Sequence, residues 1–478
     1  MSMDKLNGNG GPHSDESFRD SVATISEQGK RNWIYPQKPK GKLYKYRTYI
    51  SWAFLAVLFI LPFIKLNGEP LFLANILERK FILFGVVFWP QDFFIFMLGM
   101  LTFIVFIVLF TIIFGRVFCG WVCPQTIFLE MVFRKIEYLI EGDASAQKAL
   151  NKAPWTAEKV RKRVLKHVAF FSLSFIIANT FLSYIISIDQ VMDIYVNIGD
   201  NIRSLVGLIL FTFVFYGVFS WFREQVCLIV CPYGRLQGVL LDKKSVVVAY
   251  DYIRGEPREH YRKTAERKGG DCIDCGLCVR VCPTGIDIRN GTQLECVNCT
   301  ACIDACDGIM ESIDKPKNLI RYDSEDGIAK GEKLRFTNRM KAYSVVLTLL
   351  VGVLVFLLAT RDDVQANILR ASGMLYQEQP DSVTISNIYN IKLLNKTHKE
   401  LPVELKLEEG IKGTIKLVGN DNMIVPKEAS LERVFFVYLN KADIKERKMP
   451  LKIGIYSNGK KVDVVKTNFL GPFMRNKK

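Results

Sequence analysis

The run DCIDCGLCVRVCP, residues 271–283, sets Cys272, Cys275, Cys278 and Cys282 at the spacing C-x2-C-x2-C-x3-C-P. ECVNCTACIDACD, residues 295–307, repeats that spacing with Cys296, Cys299, Cys302 and Cys306, except that Asp307 stands where the first run has Pro283. All 12 cysteines of the 478-residue chain lie between Cys119 and Cys306. A clustering of that kind marks a site rather than a scatter of small buried hydrophobes.

The doubled run has the bacterial ferredoxin spacing, in which three thiolates wrap one face of an iron-sulfur cubane and the fourth ligates the other cluster. By that rule Cys272, Cys275, Cys278 and Cys306 hold one [4Fe-4S] cluster, and Cys296, Cys299, Cys302 and Cys282 hold the second. Consecutive thiolates must converge on one compact cluster, which a tight non-helical loop permits; Gly276 and Ala301 supply small residues there. Zinc is the weaker alternative, because zinc cysteines come as separated pairs. Disulfides are disfavoured in a reducing compartment.

The rest of the chain is apolar: 49% hydrophobic and 12% aromatic residues give a mean hydropathy of +0.15. Five stretches approach the ~20 helical residues that a bilayer requires. They are Tyr49 to Ile64, Phe93 to Phe114, Val168 to Ile188, Leu205 to Phe222 and Ala342 to Thr360, and none carries a charge. The run from Phe81 to Trp89 is too short to span, and with Leu71 to Ile76 it reads as an interfacial or re-entrant segment.

The net charge of +16 raises nucleic acid as a partner, but its distribution points elsewhere. Lys and Arg number seven in residues 30–48, three in 65–92, ten in 115–167, one in 189–204 and twenty in 223–341. Basic residues are retained on the cytoplasmic side. The alternation therefore puts the N-terminus and the ferredoxin loop inside, and the segment after the fifth span outside. Residues 1–45 are polar and show no cleavable signal.

The four remaining cysteines form FGRVFCGWVCPQT (114–126, Cys119 and Cys123) and FREQVCLIVCPYGR (222–235, Cys227 and Cys231). Each C-x3-C-P pair follows a predicted span, and the two lie 108 residues apart, as in an internal repeat. A four-residue interval places two thiols one turn apart on a helix, with Pro124 and Pro232 marking a boundary or kink. Such thiols can chelate Cu(I), the soft ion that thiolate selects. They can equally cycle between dithiol and disulfide, border a quinone pocket or be small buried hydrophobes.

His13, His167, His260 and His398 are too few and scattered for a haem or a His-rich copper site, and His167 reads as a helix-end surface residue. Neither a flavin nor a nucleotide is indicated, since no Gly-rich phosphate loop precedes a helix. The spans carry no acid or base, which argues against a proton pathway. Met97, Met100 and Met131 read as packing. Beyond Arg361, alternating runs at Val383 to Tyr389, Val403 to Leu407, Thr414 to Val418, Val434 to Leu439, Leu451 to Tyr456 and Val462 to Phe469 are separated by turns such as Gly419-Asn420 and Asn458-Gly459. They predict an immunoglobulin-like β-sandwich with no chemistry of its own.

The expected fold is an α-helical membrane protein with a cytoplasmic dicluster ferredoxin domain and a C-terminal immunoglobulin-like sandwich. Residues 1–45 form a tail, 46–235 a membrane domain with four spans, and 236–340 a loop holding the ferredoxin at roughly 262–312. Residues 341–361 form the fifth span and 362–478 the sandwich. This combination resembles the cytochrome c oxidase accessory protein family CcoG, also called FixG or RdxA, over residues 30–478. The resemblance implies a bacterial inner-membrane protein that reduces Cu(II) to Cu(I) during maturation of cbb(3)-type oxidase. It further implies copper at Cys119, Cys123, Cys227 and Cys231, an unidentified cytoplasmic electron donor, and copper-export and oxidase-assembly proteins as partners beside the lipid bilayer. The alternatives are a quinol dehydrogenase similar to polyferredoxin membrane subunits, which share the Cys-Pro pairs, and a non-catalytic assembly scaffold.

Overall fold

The computed structural model describes residues 23–25, 28–66, 68–76, 80–89, 92–261, 269–331, 337–362 and 364–472, apart from 372, 374, 382, 398, 409, 420–422, 428 and 445. His13, His398, Asn420 and the first part of the expected ferredoxin region, 262–268, lie outside the described residues. The chain divides into two compact units. One comprises Met1–Lys65, Pro70–Arg79 and Phe96–Val353, and the other Leu66–Glu69, Lys80–Ile95 and Leu354–Lys478.

Among the described residues five helices are long and apolar enough to cross a membrane: Lys42–Phe63, Phe93–Phe114, Ala157–Ile186, Ile202–Phe222 and Asn338–Ala359. Large side chains such as Phe103, Leu210 and Leu349 are exposed on them, as suits helices whose solvent is lipid. The first and third begin well before the expected Tyr49 and Val168. A charge-free window stops at the nearest Lys or Arg, whereas a helix tolerates both. The third is started by Thr156, whose hydroxyl accepts from the Lys159 amide at 3.3 Å. Arg47 and Lys166 are buried on the parts of these two helices that precede the charge-free stretches.

The segment expected as interfacial or re-entrant is built of strands. Lys80–Leu83 and Val86–Phe88 pair antiparallel, with Ile82 opposite Val87. Phe84 and Gly85 turn the hairpin with positive φ at both positions, the geometry that matches strand twist.

The ferredoxin core sits in the first unit. Val247–Tyr250 pairs antiparallel with Ile320–Asp323, Val247 opposite Asp323, so the strands that bound the cysteine runs close on each other. Val248, Ile286, Ile288, Ile303, Met310 and Ile320 pack there against Cys272 and Cys278.

In the second unit one sheet runs in the order Gly413–Leu417, Ser430–Asn440, Thr384–Asn395, Val364–Arg370, and the other in the order Met423–Val425, Leu401–Leu407, Lys448–Ser457, Lys460–Leu470. Their core holds Tyr389, Phe435, Leu451, Ile453, Ile455 and Phe469. The buried Tyr389 hydroxyl donates to Asn468 O at 2.9 Å, which satisfies the one polar atom of that ring. Asn458 and Gly459, both at positive φ, turn the final hairpin. In the same unit Asp92 accepts from Arg361 and Lys396 at 2.6 Å each.

Candidate functional site

Each ferredoxin run is shaped by two residues in the left-handed region. Asp274 and Gly276 flank Cys275 at φ 51° and 64°, and Asn298 and Thr300 flank Cys299 at φ 52° and 64°. Gly, Asp and Asn enter that region at modest cost. Thr300 is the outlier, being β-branched, so the counterpart of Gly276 is Thr300 rather than the expected small Ala301. Alternating hands of this sort turn successive amides inward, a concavity suited to an anionic cluster. The helix inside the first run, Leu277–Arg280, stops short of Pro283, while Ala301–Ser312 continues through Asp307. Proline cannot continue a helix and aspartate can. The Asp307 carboxylate accepts instead from the Asn318 amide at 2.8 Å.

The fourth cysteine of each run faces the other run. Burial raises the Cys306 thiol, and the neighbours that add to this are Cys278, Cys272 and Cys275. Burial likewise raises Cys302, next to Cys299, Cys296 and Cys282. One cavity is lined by Cys282, Cys296, Cys299 and Cys302 together with Cys278. A four-thiol donor set around a shared space fits a [4Fe-4S] cluster. Among the described residues no three His, Cys, Asp or Glu side chains converge to hold a single metal ion.

The helical expectation for the C-x3-C-P pairs is corrected. Cys119 lies in the short helix Val117–Trp121, and Cys123 is extended with ψ 123°. Cys227 lies in the turn Val226–Val230, and Cys231 is extended with ψ 114°. A residue before proline is excluded from helical ψ, so each helix breaks at its second cysteine and restarts at Pro124 or Pro232. The repeat is kept in backbone detail. The Cys123 amide donates to Phe118 O at 2.9 Å and the Cys231 amide to Val226 O at 2.8 Å, both spanning five residues, a wide turn frequent at functional sites.

The two pairs meet. Burial pushes Cys227 up to about 12, with Cys123, Cys119 and Cys231 adding to it. Burial also raises Cys123, beside Cys119 and Cys231. Such thiols ionise when a cation replaces the proton. The fully buried Gln237 amide donates to Cys119 Sγ at 3.4 Å. Cys119 in turn shares one apolar cluster with Val297, Cys299 and Ala301 of the second ferredoxin run. Trp121 Nε1 donates to the Tyr322 hydroxyl at 3.1 Å, which donates to Asn298 O at 3.0 Å.

Gly120, inside the first pair, makes this approach possible: a Cβ there would lie 2.4 Å from Val297 O and 2.8 Å from Asn298 O. Gly234 serves the second pair, since its Cβ would lie 2.5 Å from Cys227 O. The reading of spacing alone passed over Gly120, Gly234 and Gln237; the glycine inside C-G-W-V-C was the one available signal.

A buried ion network anchors the second pair. Arg223, at φ 54° and ψ −123°, donates through both terminal nitrogens to the Glu137 carboxylate at 2.8 Å each. Glu224 meets Arg134 at 3.3 Å, Arg134 meets Glu130 at 3.1 Å, and Lys166 meets Glu141 at 2.9 Å. Arg134 also donates to Pro283 O at 3.2 Å, tying the network to the residue after Cys282. Burial would raise Glu137, but Arg223, Lys166 and Arg134 outweigh it and hold the carboxyl below its ordinary range. Glu137→Gln removes the two-pronged carboxylate of the strained Arg223 and leaves it only Glu224 at 3.7 Å. The expected cost is about 3–5 kcal/mol, read as earlier thermal unfolding of the membrane unit in detergent with unchanged melting of the sandwich; unchanged melting of both would show the pair to be idle.

The other candidates lie apart. His167 Nδ1 meets the Tyr216 hydroxyl at 2.8 Å inside a helix rather than at its end. His260 is exposed, 3.7 Å from Asp274. Met97 and Met100 are exposed and Met131 is buried.

Family models match three segments: a 4Fe-4S binding domain at residues 96–141, a 4Fe-4S dicluster domain at 222–325 and an immunoglobulin-like fold at the C-terminus of FixG at 354–472. The chain is 32% identical to nitrogen fixation protein FixG of Rhizobium meliloti, over 82% of each chain. It is 31% identical to protein RdxA of Cereibacter sphaeroides, over 86% of this chain and 89% of that one. Protein RdxB of the same organism is 30% identical, over 87% and 90%. A crystal structure of a FixG-related protein from Vibrio parahaemolyticus aligns over 24% of this chain and all of its own, at 15% identity and a TM-score of 0.21.

Proposed function

The chain belongs to the FixG/RdxA family of membrane-associated iron-sulfur electron-transfer proteins, and from that premise we propose that it reduces Cu(II) to Cu(I) at the four C-x3-C-P thiols. The observation that carries this reading is the single apolar cluster that holds both Cys119 and Cys299, which puts a thiol of the membrane edge in the same packed group as one of the ferredoxin. The clusters held by Cys272, Cys275, Cys278 and Cys306 and by Cys296, Cys299, Cys302 and Cys282 supply one-electron transfer at low potential when bound. One electron leaves the protein for each Cu(II), and the soft thiolates of Cys119, Cys123, Cys227 and Cys231 favour the Cu(I) formed. Gln237 orients Cys119 by its hydrogen bond, and Arg223, fixed by Glu137, orients the lead into Cys227.

The basic connections support a cytoplasmic ferredoxin side in a bacterial inner membrane, with the sandwich outside. An unidentified cytoplasmic donor would load the relay, and copper-export and oxidase-assembly proteins would use its product. A second reading, quinol oxidation or quinone reduction, is favoured by an apolar cavity of about 290 Å³ lined by Val122 and Pro124, on either side of Cys123, with Phe54, Leu58, Phe128 and Tyr184.

Dithionite-reduced protein, bleached in the visible, is expected to be reoxidised by Cu(II) and not by a soluble quinone analogue. Serine at Cys119, Cys123, Cys227 and Cys231 together should abolish that reoxidation with the iron near eight per chain, two four-iron clusters. Undiminished Cu(II) reoxidation in the serine variant would remove the thiols from the reaction. Reoxidation by the quinone alone would favour the second reading, and by neither, a scaffold.

A further inference from the structure

Two buried arginines stand at the junction between the second ferredoxin run and the thiol pairs. Arg47 is 2% exposed and Arg116 3%. Arg47 Nε donates to Gly120 O at 2.6 Å, and Arg116 donates to Leu294 O. Both bonds go to neutral carbonyls. Arg47 Nη2 and Arg116 Nε are buried without a hydrogen-bond partner, and among the described residues neither guanidinium forms an ion pair.

Arg223, which precedes the second thiol pair as Arg116 precedes the first, is neutralised by Glu137. Arg289, beside the first ferredoxin run, is paired with Asp287 at 2.7 Å and Asp274 at 2.5 Å. Among the described residues, the buried arginines that lack a carboxylate stand at the second run; at the first run Arg280 lacks one too, but it is exposed and donates to Cys275 O at 2.9 Å. A buried charge left unpaired costs several kcal/mol, so its place in the fold implies an anion that completes it, and a thiolate-ligated cluster is one.

We propose that Arg47 and Arg116 are the resident countercharges of the second cluster, and that by stabilising its reduced form they bias the electron toward the thiol end. The inference rests on the two-cluster reading of the ferredoxin cysteines. Each arginine reaches the second run through the backbone: Arg116 holds Leu294 O, two residues before Cys296, and Arg47 holds Gly120 O, whose residue abuts Val297 O and Asn298 O in the turn to Cys299. Cluster potential follows net charge and surroundings, and adding an electron beside two fixed cations is easier than beside a cation already neutralised. The first cluster should therefore be the donor and the second the acceptor.

The test is a redox titration of full-length protein followed by electron paramagnetic resonance, with no copper or quinone present. Wild type should show two centres, the higher-potential one being lost in Cys282→Ser. In Arg116→Gln, and separately in Arg47→Gln, that centre should show about a tenfold lower reduced-to-oxidised ratio at fixed poise, a shift of about 59 mV for one electron, while the other centre stays. Arg116→Lys should keep both its iron and its potential. Unchanged potentials in both Gln variants, or equal shifts of both centres, overturn the proposal. If the Gln variants lose iron, Arg116→Lys decides, and its losing iron too would show packing rather than charge to be the role. Because no acceptor is used, the copper reading can fail with these shifts intact, or hold without them.

Discussion

Cys306→Ser is expected to remove the cluster of the other run: about four of about eight irons should be lost, and the surviving centre should be the one that Cys302→Ser destroys. Sequence proximity predicts the opposite, since Cys302 and Cys306 sit one turn apart on the helix Ala301–Ser312. The geometry overrides proximity. Cys306 has Cys278, Cys272 and Cys275 for neighbours, while Cys302 has Cys299, Cys296 and Cys282 ahead of Cys278. Four residues of helix thus carry the chain from one site to the other, which is the purpose of the x3 interval. Cys282→Ser should be the mirror case with a harsher outcome. It removes the centre whose Cys299 shares an apolar cluster with Cys119, so Cu(II) should then fail to reoxidise the dithionite-reduced protein. Iron analysis and the paramagnetic spectra of the three variants decide the matter. Identical spectra for Cys306→Ser and Cys302→Ser would sink the crossed assignment.

What the amino-acid sequence disclosed, and what it did not, divides along the range of the interactions. The cysteine spacing and the apolar stretches are local patterns, and so is the hairpin at Asn458-Gly459. Each could be read from a short window. The limits of the first and third spanning helices were hidden, because charge there was read as a marker of membrane side. Within the fold Arg47, Lys166 and Arg223 are interior groups, and the partner of Arg223 is Glu137, 86 residues away. No window contains both. The break inside each C-x3-C-P motif is legible from its proline, which restrains the residue before it and marks the boundary expected at Pro124 and Pro232; only the one-turn helical spacing of the two thiols misleads. Strands such as Val364–Arg370, in which only V-Q-A-N-I alternates, and Met423–Val425, too short to show a period, are weak signals in isolation. They exist because Thr384–Asn395 and Leu401–Leu407 offer edges to pair with.

The junction between the thiol pairs and the ferredoxin depends on one absent side chain, and Gly120→Ala is expected to disconnect the two without harming either. Its Cβ would lie 2.4 Å from Val297 O, where ordinary contact begins at 3.4 Å, so one backbone must retreat by the difference of 1.0 Å. Neither backbone is free to do so. Gly120 O is held by Arg47 at 2.6 Å, and Asn298 O by Tyr322 at 3.0 Å. Overpacking of this kind costs about 1–3 kcal/mol, which lowers the docked population by a factor of about 5–150. Reoxidation of the reduced protein by Cu(II) should slow within that range, with iron content and both cluster potentials unchanged. The controls are Gly99→Ala and Gly217→Ala, in the second and fourth spans, where an added Cβ meets nothing within 4 Å. Both should reoxidise at the wild-type rate. A Gly120→Ala protein that keeps that rate would mean that electrons do not leave through Cys119. A variant that loses iron as well would mean that the loop from Val297 to Thr300 needs the C-G-W-V-C segment for its own shape. The strained Thr300 makes that second outcome physically meaningful, since a β-branched residue at φ 64° is held only by what surrounds it.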